Sequence, residues 1–516
     1  MKFRTYFVFS SFLVSAFLMT MGLGIRAQAL DLDWTGQFKA ETHHIFNYSL
    51  SGDNKVADPA RAGKGYYISG GGQSNAAFQT FSLRLKPSVI VNDNIYIKSE
   101  WWVGDPIYGF FGSGAPYSVD QRQFYSTQLR NQPVQFQRLW LDLLTDVGTV
   151  TLGRAPLDWG LGVVWNEGAN VYDRYFSTGD QIRLTSKFGL FTFSPAIIVY
   201  SKGNAIGGAC ASPTAGTPGE PCNSALAGEG GMTDYSIILK YHNISENMEL
   251  GLNFVRRLAG SVLDSTTAHR GTNGEETSMN YNLFDIYLSK IWGPLTVQAE
   301  IPITTGSIGG SDYSSWALAV EADYQATETL DLGMKFGLVP GQPNQASAGE
   351  PGTFKAFFFN PAYNTGLILF NYQLAHFAGP STLNNPNVTG DRLLSPYDAP
   401  MTNARYLMLH AKYKMKRWDI RGSWLYATAD VAAGSDYFYN SWYRKMEQFD
   451  PAAAAQESDL GMEFDLGVTY HWDEAFRFDF DMGLFLPGGF YKFSNTATEN
   501  QTGPVFAGVA RVGLDF

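Results

Sequence analysis

The sequence predicts an all-β fold: a single antiparallel, up-and-down transmembrane β-barrel of about eighteen strands. Three observations predict it. Apolar residues recur with a period of two along most of the 516-residue chain, the signature of strands with one apolar and one polar face. Hydrophobic residues make up 45% of the chain, yet the mean hydropathy is only -0.15. Helical spans of roughly 20 continuous apolar residues would raise that mean, whereas a barrel strand turns only every second residue to lipid. Finally, short turns of Asn, Asp, Gly and Pro alternate with long polar loops. Short periplasmic turns and long extracellular loops are the asymmetry of a barrel in an outer membrane.

Residues 1–29 read as a cleaved signal peptide. Lys2 and Arg4 precede an apolar stretch from Tyr6 to Leu23, and Ala27-Gln28-Ala29 is a small-x-small cleavage site. Residues 30–516 are then the barrel, and the first strand begins at once. Leu30, Leu32, Trp34, Gly36 and Phe38 alternate with Asp31, Asp33, Thr35, Gln37 and Lys39, an arrangement that leaves no room for an N-terminal plug. Further strands follow around Phe81–Val89, Ile95–Val103, Leu139–Leu143, Thr149–Arg154, Ile182–Phe188 and Leu190–Tyr200. The series continues through Tyr235–Tyr241, Met248–Phe254, Phe284–Leu288, Leu295–Ile301, Trp316–Tyr324 and Leu330–Leu338. It closes with Leu407–Tyr413, Ile420–Tyr426, Met462–Tyr470, Phe476–Leu484 and Val505–Phe516. Eight long loops are expected, near 47–76, 104–134, 156–180, 201–232, 258–279, 340–403, 428–459 and 486–503.

One stretch disturbs the count. Thr353–Asn360 and Gly366–Gln373 are apolar and flank Pro361-Ala362-Tyr363-Asn364. As a wall hairpin they would raise the barrel to about twenty strands. The preferred reading is a loop folded inward, because neither segment alternates cleanly.

The last strand sets Phe506, Gly508, Ala510, Val512, Leu514 and Phe516 on one face. An apolar final strand ending in Phe resembles the assembly signal of bacterial outer-membrane barrels. That resemblance implies that the barrel-assembly machinery reads Phe516. It also implies residence in the outer membrane of a Gram-negative bacterium, in contact with its lipid. The segment Gly153-Arg154-Ala155-Pro156-Leu157-Asp158-Trp159-Gly160-Leu161-Gly162 is similar to porin-like families, including alginate-export-type barrels. Together with Asn360–Asn364 and Gly366–Phe370 it also resembles uncharacterised deltaproteobacterial outer-membrane barrels. The resemblance implies loops that narrow a pore, with Arg154, Asp158 and Trp159 at the constriction. Regular strand parity puts Arg154 on the lipid face, so only a bulge could turn it inward.

Arg84, Lys98, Arg138, Lys335, Arg421 and Arg511 fall on the polar face near the middles of their strands, as do Glu100, Glu300, Glu321, Asp479 and Asp481. Charges in hydrocarbon cost several kcal/mol each, so these must face water or one another. The set predicts a water-filled lumen whose charges screen solutes by size and sign. The competing reading is cross-lumen pairs that hold the barrel round. Removing Lys2, Arg4 and Arg26 from a chain of net charge -11 leaves -14. That balance argues against a nucleic-acid partner and suggests a mild preference for cations.

Cys210 and Cys222 share one Gly- and Pro-rich loop and are expected to form a disulfide in the oxidising periplasm. His43 and His44 point to opposite faces of a strand. No other His pair has metal-ligand spacing, and no nucleophile–base arrangement or phosphate loop is evident. The chain therefore reads as a cofactor-free, metal-free non-enzyme. The expected function is a porin or channel for passive diffusion of small hydrophilic solutes, constricted by the loops after Gly153 and Pro340. A channel specific for an oligosaccharide or acidic polymer is one alternative, with inward Trp102 and Trp140 as the beginnings of an aromatic slide. A closed barrel acting as adhesin or receptor through its loops is another. A homo-oligomer is compatible with all three.

Overall fold

The computed structural model describes residues 31–48, 50, 75–104, 134–201, 232–259, 279–308, 311–347, 352–372, 401–440 and 445–516. The signal segment and the pair Cys210 and Cys222 lie outside the described residues. The wall begins with β1 (Asp31–Phe46), β2 (Ala76–Asn92), β3 (Ile95–Val103), β4 (Gln135–Thr145), β5 (Gly148–Pro156) and β6 (Thr178–Phe188). It continues with β7 (Phe191–Ser201), β8 (Met232–Asn243), β9 (Met248–Ala259), β10 (Met279–Trp292) and β11 (Leu295–Ile308). β12 comes in two pieces, Ser311–Trp316 and Leu318–Gln325, and β13 is Leu330–Val339. The last five are β14 (Ala404–Lys414), β15 (Trp418–Thr428), β16 (Asp459–His471), β17 (Phe476–Pro487) and β18 (Val505–Asp515). Each strand pairs antiparallel with the next. β18 returns to β1 in a ladder from Gln37↔Asp515 to Phe46↔Phe506. The result is a closed barrel of 18 strands, which leaves no sheet edge unpaired.

The alternation of the sequence sets the two faces. In β1, Lys39, Glu41, His43 and Ile45 are buried inside, while Leu32, Trp34 and Phe46 stand on the exterior. Tight turns close one end of the barrel. Gly189 and Gly293 sit there at φ of 60° and 58°, the left-handed conformation that two-residue hairpin turns require.

Two departures from the sequence reading have physical causes. β11 runs on to Ile308 and β12 begins at Ser311, so this outer connection is short and breaks the expected alternation of loop lengths. The extension was hard to see because Thr304, Thr305, Ser307, Asp312, Ser314 and Ser315 are polar on both faces. Within β12 the ladder is interrupted at Ala317, whose N–H donates to the Pro302 carbonyl at 3.0 Å. Proline has no N–H to return. The region after Val339 does not add a wall hairpin. Thr353–Phe354 is a two-residue strand lying parallel to Asp312 and Tyr313 of β12, and the segment beyond it turns into the barrel.

The largest apolar cluster lies within the lumen, toward the long-loop end. Ile45, Val505, Ala507, Leu425 and Phe485 of the wall enclose Phe359, Tyr363, Ile368, Leu369, Phe370 and Tyr372 of the inward segment.

Candidate functional site

Two segments fold into the lumen and divide it. The first, 157–177, leaves β5 and re-enters the wall at β6. Trp159 is fully buried against the inner face of β9, where a side chain at Gly251 would collide with the indole at 2.5 Å. Glu300 of β11 then accepts from the backbone N–H groups of Leu161 and Val163. Arg138 donates to the carbonyls of Glu167 and Ser177 at 2.8 and 3.2 Å, and Arg84 donates to that of Gly168. Across the lumen Lys39 reaches the carbonyls of Tyr172 and Asp173, each at 3.3 Å. Arg174 pairs with Glu41 at 2.9 Å. The Tyr172 hydroxyl donates to Asp479. The segment is therefore tied to both sides of the barrel by groups that would be costly to leave unpaired.

The second segment, 352–372, packs on the first. The backbone N–H and the carboxamide of Asn360 donate to the carbonyls of Val163 and Val164 at 2.7 and 3.1 Å. The Tyr363 hydroxyl donates to Glu321 at 3.0 Å and meets the Tyr406 hydroxyl at 3.0 Å. Glu463, fully buried on β16, accepts from the N–H groups of Ile368 and Leu369 at 2.7 Å each. Tyr372 joins His43 at 2.8 Å.

Space remains on the side of β13 to β18. A vestibule of about 630 Å3 is lined by Asp331, Lys335, His410, Lys412, Asp419, Arg421, Asp465, His471, Arg477, Asp479, Asp481 and Arg511, among others. Many of these lie near the short turns, so the vestibule faces the periplasmic end. A second chamber of about 270 Å3 is lined by Asp173, Arg174, Tyr175, Pro361, Ala362, Asn364, Phe370 and Asn371. The two share Asn170, Tyr172, Gly366, Leu367 and Arg511. That common ring borders both. In it the Tyr172 ring lies 5.3 and 5.1 Å from the guanidinium carbons of Arg477 and Arg511, within cation–π range. Gly513 makes the fit possible, since a side chain there would meet the Tyr172 hydroxyl at 2.7 Å.

The charged residues singled out from the sequence take several different places. Lys335, Arg421, Asp479, Asp481 and Arg511 line the vestibule. Arg84, Glu100 and Arg138 form a buried cluster beneath the first segment, with Glu100 3.2 Å from Arg84 and 2.8 Å from Arg138. The Trp102 indole donates to Glu100 at 2.6 Å. Glu300 anchors the first segment, Glu321 pairs with Lys335 at 2.9 Å, and Lys98 pairs with Asp142 at 2.9 Å. Arg154 does not reach the lumen. It lies opposite Leu139, an exposed lipid-face residue, and pairs on the exterior with Asp180 at 2.7 Å. No bulge reverses its parity, so its constriction role falls. Trp159 is a wall wedge and Asp158 lies beside it; neither lines the two chambers. Tyr172 and Arg174 have no periodicity or motif to mark them, whereas Glu41 sits on the polar face of β1 and Tyr363 within the Pro361–Asn364 motif without either having been singled out as a lumen contact.

The exterior settles the environment. Leu139, Ile182, Ile197, Ile237, Leu252, Phe284, Ile303, Phe336, Leu409, Phe464, Phe480 and Phe506 are all exposed on a closed wall. An apolar belt around a polar interior is stable only where lipid surrounds it. The molecule is a membrane-spanning β-barrel. No family model matches the chain, and no curated protein matches it. Similar solved structures include OccK9 (OpdG) of Pseudomonas aeruginosa, with a TM-score of 0.47 and 10% identity over 94% of this chain and 99% of that one. A BenF-like porin from Pseudomonas fluorescens has a TM-score of 0.47 and 9% identity over 94% and 98%. The outer-membrane channel DcaP of Acinetobacter baumannii has a TM-score of 0.40 and 10% identity over 95% and 98%. These likenesses are distant, and the functional reading rests on the barrel's own geometry.

Proposed function

We propose that the barrel is a narrow channel for small hydrophilic solutes, with the neck at Tyr172 as its constriction. The observation that carries this reading is the pair of chambers sharing one ring of residues inside the lumen. A barrel that served only as a platform for loops would gain nothing from a charged vestibule opening on the periplasm. The filled lumen favours selective passage over an open sieve.

The sign of the filter follows from how the ion pairs are turned. Arg421 is 37% exposed while its partner Asp479 is 3% exposed. Arg511 is 14% exposed against 0% for Glu41. Lys412 and Asp419 repeat the pattern. The cations face the passage and the carboxylates stand behind them, although the chain is acidic overall. Asp323 and Asp515, close to the periplasmic turns, are the exceptions. Guanidinium groups that present N–H donors suit carboxylate- or phosphate-bearing solutes. This reverses the cation preference expected from net charge, because net charge does not say which partner of a pair meets the solute. Phe516 keeps its reading as the signal for the assembly machinery.

Liposome swelling tests the proposal. Proteoliposomes are expected to admit a small sugar acid faster than the neutral sugar of equal size, with the difference shrinking at high salt as the charges are screened. Equal rates for the two would refute the anionic filter, and no swelling with any solute would refute the channel.

A further inference from the structure

We propose that Arg256, on the lipid-facing side of β9 near the outer rim, is a binding site for the phosphate of an outer-leaflet lipid headgroup. The inference is independent of what crosses the lumen. β9 rises from its turn with β8 toward the long-loop end, and its outward residues change character on the way. Leu250, Leu252 and Phe254 belong to the apolar belt; Arg256 is the next outward position and is exposed. The neighbours change at the same height. Arg256 lies opposite Tyr235 on one side and Asn282 on the other. One step toward the membrane centre, the Phe254 and Phe284 rings lie 5.1 Å apart.

Among the described residues three outward arginines stand near this rim, and they differ in one respect. Arg154 is held by both oxygens of Asp180, at 2.7 and 3.0 Å. Arg405 donates to Asp430 at 3.0 and 2.7 Å. Both are neutralised by a carboxylate. Arg256 donates instead to the carboxamide oxygens of Asn282 and Asn280, at 3.4 and 3.0 Å. Among the described residues no carboxylate pairs with it. The two asparagines fix the guanidinium on the wall without cancelling its charge, and its Nε–H stays available. A full positive charge at the edge of an apolar belt attracts an anion. A guanidinium matches phosphate oxygens with two parallel donors, and basic groups at the membrane surface recruit anionic headgroups. The aromatic shelf of Phe254, Phe284 and Tyr235 would receive the acyl chains of the same molecule, which is what separates a lipid from free phosphate.

The test uses the refolded protein in detergent, titrated with lipid A, dephosphorylated lipid A and inorganic phosphate. The wild-type barrel is expected to bind lipid A at least ten-fold more tightly than its dephosphorylated form. R256Q should lose that preference, R256K should keep part of it, and R154Q should leave it unchanged. Heat-modifiable gel mobility reports folding of each variant. Should R256Q not fold, N280L combined with N282L carries the test, because it frees Arg256 from its holders and is expected to weaken binding. Unchanged lipid A affinity in R256Q, or in the asparagine pair, would overturn the proposal. Displacement of lipid A by millimolar inorganic phosphate would overturn the lipid as the ligand.

Discussion

At the scale of single residues, the lumen is held by charges that cannot lose a partner cheaply. Glu100 lies buried between Arg84 and Arg138. Glu100→Ala would leave two guanidinium groups uncompensated beneath the first segment, at a cost of about 3–5 kcal/mol, visible as a lower urea midpoint for unfolding. Tyr172 should behave differently. Its ring fills the neck while its loss strands only part of Asp479, which keeps a contact with Arg421 at 3.4 Å. Tyr172→Ala is expected to raise single-channel conductance with little change in stability, and Gly513→Val to lower it by pressing on the Tyr172 hydroxyl. A Tyr172→Ala channel with unchanged conductance would remove Tyr172 from the constriction. At the C-terminus, the Phe516 ring covers Gly36, where a side chain would meet it at 2.5 Å. Gly36→Val should therefore slow assembly of a chain whose terminal Phe is intact.

Elements act here as units with separate anchors. The second inward segment is pinned through Glu463, so Glu463→Ala should release it, raise conductance and broaden the solute range. Packing and anchoring can be told apart, because Phe359→Ala, which empties part of the apolar cluster, should cost about 3–5 kcal/mol without freeing the Ile368 and Leu369 amides. Outside the wall, Tyr437–Asn440 pairs with Lys445–Gln448 in a small hairpin. Burial pushes the Glu447 carboxyl up to about 7 from its ordinary 4.5. Its folded value is the higher one, so its contribution is fully present below 4.5 and is lost as pH rises toward 7. Amide exchange at Phe438 and Met446, corrected for intrinsic rate, should be slower at pH 5 than at pH 7.5, and Glu447→Gln should abolish the difference.

For the whole molecule, the wall was legible in the sequence and its contents only in part: the inward course of the two segments was expected, but the residues that anchor them were not. Period two, tight turns and a terminal Phe specify eighteen strands because lipid on one face and water or protein on the other impose a rule at every position. The polar stretch from Thr304 to Ser315 escaped that rule where the strands rise beyond the belt. Inside the lumen no such rule operates. Arg421 and Asp479 could be named as inward, but which of them faces the passage depends on strands meeting a loop whose Tyr172 lies 307 residues from Asp479. Tyr172 and Arg174 sit in a segment with no period, and Arg154, beside a distinctive motif, proved to be an exterior residue paired with Asp180.

We propose that the two chambers, which share Tyr172, join there in a cation-lined path through the barrel. Single-channel recording of the refolded protein in a planar bilayer, with reversal potential under a potassium chloride gradient, tests it most directly. Such a path predicts small, steady openings, a reversal potential of chloride-preferring sign, and a larger current from Tyr172→Ala. No current from protein that is folded and inserted, or a cation-preferring current, would contradict it.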